Sequence, residues 1–311
     1  MSGRFAPSPT GDLHLGNLRT AAIGWLAAKA SRLDHVIRME DLDRVQASVE
    51  HEVSQLADLA TLGITSDVEV IRQSDRFDLY DAAIADLTDR GLTYECFCSR
   101  REVRAEIEAS PSAPHLPPGA YPGTCRDLSE AERSALRDEG RRPALRLRAP
   151  DEQDPIEFDD LVCGHQSGGV DDTVLRRNDG VPSYNVAVVI DDAAQGVTQV
   201  VRGDDLLDSV PRQIHLQRLL GLPTPSYAHV PLVFGQDGER LAKRHGSVTL
   251  GDLRAAGIEP QTILEWIVGS FPAEAVSGRA DLPGAGSLAD VVPYFRIGAM
   301  SSPPVVAPSW I

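Results

Sequence analysis

The chain has 311 residues, 42% of them hydrophobic, and a formal charge of -16 at neutral pH. That length allows two domains and a substantial core, no apolar run is long enough to span a bilayer, and an acidic surface excludes non-specific nucleic-acid binding because it repels phosphate. Four cysteines are too few for a disulfide framework and no charged-then-apolar leader opens the chain, so a cytoplasmic protein is expected.

Gly3 to Ala6 reads as a strand stopped by Pro7 and Pro9, and from Gly16 to Ala30 the spacing of Leu18, Ala22, Trp25 and Leu26 is helical. The string Pro-Ser-Pro-Thr-Gly-Asp-Leu-His-Leu-Gly-Asn, from Pro7 to Asn17, therefore lies between a strand and a helix N-terminus. Free N–H groups and the helix dipole favour phosphate there, and Gly11 and Gly16 remove side chains where a nucleotide approaches. His14 is placed to donate to a phosphate oxygen. The plain alternative, a turn with an incidental histidine, would suit a lone H-x-G but not the whole string. A strand over His35 to Met39 and helices over Ser48 to Leu62 and Asp75 to Arg90 follow.

From Thr93 to about Tyr184 the texture changes, with cysteines, the proline-rich run Pro111 to Pro122, and arginine-rich and acidic stretches; this reads as an insertion. Cys96, Cys98 and Cys125 can take three corners of a tetrahedral zinc site, and Tyr121, His115 and Cys163 compete for the fourth. Buried free cysteines are the plain alternative. Arg141, Arg142, Arg146, Arg148, Arg176 and Arg177 are candidates for a local basic patch that meets RNA.

Beyond the insertion, Val197 to Val201 reads as a strand, Ser209-Val210-Pro211 opens a helix to Leu220, and His229 to Phe234 is a further strand candidate. After Gly235-Gln236-Asp237-Gly238, Lys243 and Arg244 in Arg-Leu-Ala-Lys-Arg put cations on a loop that can close over a triphosphate; a solvated basic loop is the alternative. Thr249 to Phe271 reads as helix, and past Pro272 periodicity fades into a tail expected to be partly disordered. The alternation of strand and helix predicts a parallel sheet. Arg4, Glu40 and Arg202 fall at or just past strand C-termini, the edge where such sheets hold ligands. An arginine there can pair with a carboxylate, Glu40 with an ammonium, and Tyr184 can add a hydroxyl.

The two phosphate motifs resemble the HIGH and KMSKS signatures of class I aminoacyl-tRNA synthetases. Arg-Phe-Ala-Pro-Ser-Pro-Thr-Gly from Arg4, Arg-Met-Glu-Asp-Leu-Asp from Arg38, and Val-Val-Ile-Asp-Asp from Val188 through Val-Val-Arg-Gly-Asp-Asp-Leu are similar to the glutamyl branch, to about residue 270. A helical anticodon-binding region is not seen before Ile311, and in this the chain resembles the short glutamyl-Q tRNA(Asp) synthetases. The resemblance implies a Rossmann-like, doubly wound parallel α/β sheet interrupted by a zinc-binding insertion and followed by a short helical stem-contact region. The expected divisions are 1–92 and 185–235 for the nucleotide-binding domain, 93–184 for the insertion, 236–295 for the KMSKS-like loop and stem-contact region, and 296–311 for the tail.

The resemblance also implies ATP-dependent activation of L-glutamate with Mg²⁺, and transfer to the queuosine base of tRNA(Asp) by a cytoplasmic monomer. It assigns catalysis to His14, Lys243 and Arg244, ATP contacts to His14, Gly16, Asn17 and Lys243, and glutamate contacts to Arg4, Phe5, Ala6, Pro7, Ser8, Glu40, Tyr184 and Arg202. Among the candidate fourth ligands it favours Tyr121, giving Cys96, Cys98, Tyr121 and Cys125 around one structural zinc. Asn17, Arg240 and Ala242 depart from the signatures. Competing readings are a truncated glutamyl-tRNA synthetase acting on tRNA(Glu), a nucleotidyltransferase that only adenylylates a small molecule, and a non-catalytic paralogue that binds tRNA or glutamate.

Overall fold

A computed structural model of the chain describes residues 1–109, 120–150, 154–238, 248–276, 286–300, 303–308 and 310. In chain order its first half runs β1 (Ser2–Phe5), α1 (Leu15–Ala30), β2 (Asp34–Met39), α2 (Val49–Thr61), β3 (Ile71–Arg72), α3 (Phe77–Asp89), β4 (Thr93–Cys96), α4 (Arg100–Ala109), α5 (Glu130–Asp138) and β5 (Ala144–Leu147). The second half runs β6 (Ile156–Asp160), β7 (Gly164–Gly168), β8 (Val174–Arg176), α6 (Tyr184–Ala194), β9 (Val197–Gly203), α7 (Val210–Leu220), β10 (Ser226–Val230), β11 (Val233–Phe234), α8 (Leu250–Ala255), α9 (Pro260–Gly269) and β12 (Val305–Val306).

Among the described residues the main sheet has seven strands in the order β3-β2-β1-β9-β10-β6-β7. It is parallel from β3 to β6 and closes with the antiparallel pair β6–β7. β1, β2 and β9 are buried along nearly their whole length, as expected of parallel strands covered on both faces. α1 packs on β1 and β9, and its small residues allow close approach: a Cβ on Gly3 would lie 2.9 Å from that of Ala28. A second sheet, β4-β5-β8, is antiparallel, and its strand β4 ends at Cys96.

Two local expectations are corrected. His229 to Phe234 is not one strand; β10 ends at Val230 and β11 begins at Val233, because Pro231 has no N–H for a ladder and its carbonyl instead accepts from Arg19 Nη1 at 3.1 Å. Thr249 to Phe271 is two helices, broken where Gly257 takes φ +79° and Pro260 opens α9. Within 93–184, β6 and β7 pair into the main sheet. The described part of the tail is packed: Leu288, Val291, Phe295 and Met300 are buried in the same core as Leu18 and Ile23, and β12 pairs with β11.

Candidate active site and metal centre

The C-terminal ends of β1, β2 and β9 open on a cavity of about 590 Å³ lined by the segment Arg4 to Ser8, by His14, Gly16 and Asn17, and by Glu40, Tyr184 and Arg202. The turn after β1 is held from several sides. Glu40 N–H donates to the Pro7 carbonyl at 2.9 Å, and Gln55 on α2 donates to the carbonyls of Ser8 and Gly11 at 3.0 and 2.6 Å. Gln55 lines the cavity too, and no sequence signal marked it.

His14 is the N-cap of α1. Its Nδ1 accepts from Asn17 N–H and Asn17 Oδ1 accepts from His14 N–H, each at 3.2 Å. The asparagine that departs from the HIGH signature thus closes a capping box. Gly16 leaves room for the imidazole, since a Cβ there would meet His14 Cε1 at 2.9 Å. Lys243 and Arg244, with Arg240 and Ala242, lie outside the described residues. Upstream of that motif Leu232 and Val233 line the cavity, and downstream Val248 O accepts from Leu15 N–H at 3.2 Å.

Arg4 does not present an unengaged fork. Its Nε and Nη2 hold Asp192 at 3.1 and 3.4 Å, and Arg38 Nη1 reaches the same carboxylate at 2.8 Å. Burial works against charge on Asp192, yet Arg4 and Arg38 hold its carboxyl below the usual range. Glu40 accepts from Arg38 Nη2 at 3.2 Å; there burial wins and pushes the carboxyl up against the pull of Arg38 and Arg4. A cation entering the cavity beside Glu40 would relieve that cost.

Arg202 is 4% exposed and makes four hydrogen bonds: Nε to His229 Nε2 at 2.9 Å, Nη1 to Tyr184 Oη at 3.2 Å, and Nη2 to Leu206 O and Ser209 Oγ at 3.3 and 3.2 Å. Register places His229 of β10 opposite Arg202 of β9. The cavity therefore offers a guanidinium beside a hydroxyl, a half-buried carboxylate, and a helix N-terminus capped by histidine. That set can take a carboxylate, an ammonium and phosphates together.

In the second sheet, Cys96 ends β4, and the ligand atoms of Cys96, Cys98 and Cys125 lie within 4.8 Å of one another, the metal-type cluster among the described residues. Tyr121 Oη stands 3.4 Å from Cys96 Sγ and 3.5 Å from Cys98 Sγ. The hydrogen bond from the Cys98 thiol, against burial and helped by Tyr121 and Arg146, brings the Cys96 thiol down to about 5, so a thiolate is favoured there. Three sulfurs and a phenolic oxygen at these separations fit a tetrahedral cation. Cys163 is bonded elsewhere, to the His229 carbonyl at 3.5 Å, and His115 lies outside the described residues.

Five of the six arginines read as a basic patch are engaged within the chain. Arg146 is buried over the Tyr121 ring at 3.7 Å, Arg148 pairs with Asp127, Arg141 with Glu102, Arg176 with Asp81 and Arg177 with Asp179. In an acidic chain most arginines find a carboxylate neighbour, which a linear sequence does not display.

Residues 1–274 match the model of the family described as tRNA synthetases class I (E and Q), catalytic domain, and the chain belongs to that family. It is 57% identical over 270 residues to a glutamyl-Q tRNA(Asp) synthetase of Nocardia farcinica, covering 87% of this chain and 84% of that one. A glutamyl-Q tRNA(Asp) synthetase of Symbiobacterium thermophilum is 43% identical, with 99% and 96% covered. A glutamate–tRNA ligase of Heliobacterium modesticaldum is 38% identical, with 97% of this chain and 62% of that one covered. Among solved structures, a glutamate tRNA ligase from Elizabethkingia meningosepticum in complex with its amino acid superposes with a TM-score of 0.82 at 27% identity, over 99% of this chain and 67% of that one. Among the described residues, no helix is long and apolar enough to cross a membrane.

Proposed function

We propose that the chain activates L-glutamate with ATP and passes the glutamyl group to the queuosine base of tRNA(Asp). One observation carries the first half: a single cavity where Arg202 with Tyr184, Glu40, and the His14-capped N-terminus of α1 meet. The queuosine acceptor is supported by the relatives of that name at 57% and 43% identity.

In this reading Tyr184 and Arg202 take the side-chain carboxylate of glutamate, and Glu40 takes the ammonium, with Arg4 and Ser8 closing the same end. An α-carboxylate oxygen attacks the α-phosphorus of ATP in line, the bond to pyrophosphate breaks, and glutamyl-adenylate forms. His14 donates to phosphate, the backbone at Gly16 and Asn17 lies against the nucleotide, and Lys243, Arg244 and the Mg²⁺ that accompanies ATP take up charge on the departing pyrophosphate. A hydroxyl of the queuosine cyclopentenediol then attacks the acyl carbon, loses its proton as the ester forms, and AMP leaves. We assign Cys96, Cys98, Cys125 and Tyr121 to one structural zinc, which would tie the segments before α4 and after residue 119 together. A cytoplasmic setting follows from the tRNA substrate.

Glutamate-dependent exchange of labelled pyrophosphate into ATP, run with and without tRNA against a panel of amino acids, tests the activation step. Exchange with glutamate well above glutamine and aspartate is expected; no exchange with any amino acid would remove the proposal in favour of a binding protein.

A further inference from the structure

Two residues that neither the sequence motifs nor the cavity wall contain stand directly behind Arg202. His229 is fully buried and Asp160, at the end of β6, is 3% exposed. Asp160 Oδ1 accepts the N–H groups of Val162, Cys163 and His229 at 3.0, 2.9 and 3.1 Å. Its Oδ2 meets His229 Nδ1 at 2.6 Å and shares the His229 backbone N–H at 3.2 Å. A carboxylate so placed only accepts, so Nδ1 carries the imidazole proton. Nε2 then offers its lone pair to Arg202 Nε–H, which only donates. One neutral tautomer satisfies all three groups, and with so little exposure no water replaces a lost bond. Burial lowers the histidine's proton affinity, in keeping with a neutral ring.

We propose that Asp160 and His229 are a positioning pair: they fix one imidazole tautomer, and through it the orientation of the guanidinium that receives the substrate's side-chain carboxylate. This deepens the reading of Arg202 given above and rests on it. The pair lets the hairpin β6–β7, which lies within the segment read as an insertion, set the geometry of the amino-acid site without touching the substrate.

Asp160→Asn tests this with almost no change of shape. The Val162 and Cys163 N–H groups require an acceptor at Oδ1 and the shared His229 N–H can keep its bond there, so the new amide nitrogen replaces Oδ2 and donates to Nδ1. The ring proton moves to Nε2 and faces Arg202 N–H, donor against donor. In glutamate-dependent pyrophosphate exchange with the full chain, KM for glutamate should rise about tenfold or more, the worth of a buried hydrogen bond to a charged group. KM for ATP and kcat at saturating glutamate should stay within about twofold. His229→Leu should match it, and His229→Gln, which returns an acceptor near the Nε2 position, should recover part of the loss. Added to Arg202→Ala, Asp160→Asn should cause no further rise.

Thermal melting identifies the variants that fold, and the two histidine variants decide the matter if Asp160→Asn does not. Folded variants with unchanged KM for glutamate, alongside an Arg202→Ala that raises it, would overturn the positioning role and leave Arg202 as the anchor. So would an equal rise in KM for ATP. An Arg202→Ala with unchanged KM for glutamate would overturn the underlying reading of the pocket, and the pair's role with it.

Discussion

Asn17 links local folding to chemistry in one side chain. Its carboxamide accepts from His14 N–H while its own N–H is held by the imidazole, so the residue that departs from the signature stabilises the helix start and orients the histidine. Asn17→Ala should cost about 1 kcal/mol, read as a midpoint shift in urea, and should lower kcat for exchange more than it raises KM for glutamate. An unchanged midpoint would mean the cap contributes nothing. Residues in contiguous strings were legible at this scale, since a strand, a proline-glycine turn and a helix start have sequence grammar, and Arg4 to Ser8, His14 and Asn17 all line the cavity. What was not legible is who partners whom. Arg4 looked like an open fork and is engaged by Asp192, 188 residues away; His229 and Asp160, 69 residues apart, meet only through the β9–β10–β6 register.

The cysteine loop stands apart at the scale of elements. Tyr121 N–H donates to Asp171 Oδ2 at 3.2 Å and Arg212 Nε reaches Asp171 Oδ1 at 2.5 Å, which ties the loop to α7. Purified chain should carry one zinc per chain by elemental analysis. Cys125→Ser should lose zinc and melt several degrees lower, since a metal bound only by the folded state contributes its binding energy to stability. Stoichiometric zinc in Cys125→Ser, or a wild-type chain without zinc, would end the assignment. Helices with clear caps and periodicity were legible: α1, α2 and α7 begin close to their capping residues. The long helix read over Thr249 to Phe271 was not, because its apolar spacing continues across Gly257 while the backbone there turns left-handed. α6 carries a Val-Val-Ile run whose local preference is for strand, and packing against α3 and α7 overrides it.

Across the whole molecule, buried histidines set the response to acid. His35, His215 and His229 all have lowered proton affinity, in each case first through burial. Each stays neutral when folded and takes a proton near 6.5 when unfolded, so below that pH the unfolded chain binds more protons. Their contribution to stability is then full above about pH 6.5 and falls on acidification, by up to about 1.4 kcal/mol per pH unit for each histidine. Asp160 and Asp192 are depressed by their partners despite burial, so their contribution is lost only as pH falls through their folded values, below 3.8. The lowered Cys96 thiol adds a fall that begins above pH 7 and the raised Glu40 carboxyl opposes it, so urea midpoints at pH 8, 7, 6 and 5 should decline, most steeply below about pH 6.5; a constant midpoint from 7 to 5 would contradict this. The charge of -16 leaves any RNA contact to local geometry rather than a broad field.

Loading purified tRNA with labelled glutamate is the most direct test of what the cavity serves. The chain with ATP and glutamate should label queuosine-bearing tRNA(Asp) and should leave tRNA(Asp) without queuosine and tRNA(Glu) unlabelled. Label on tRNA(Glu) and none on queuosine-bearing tRNA(Asp) would contradict the account and identify the chain as a glutamyl-tRNA synthetase.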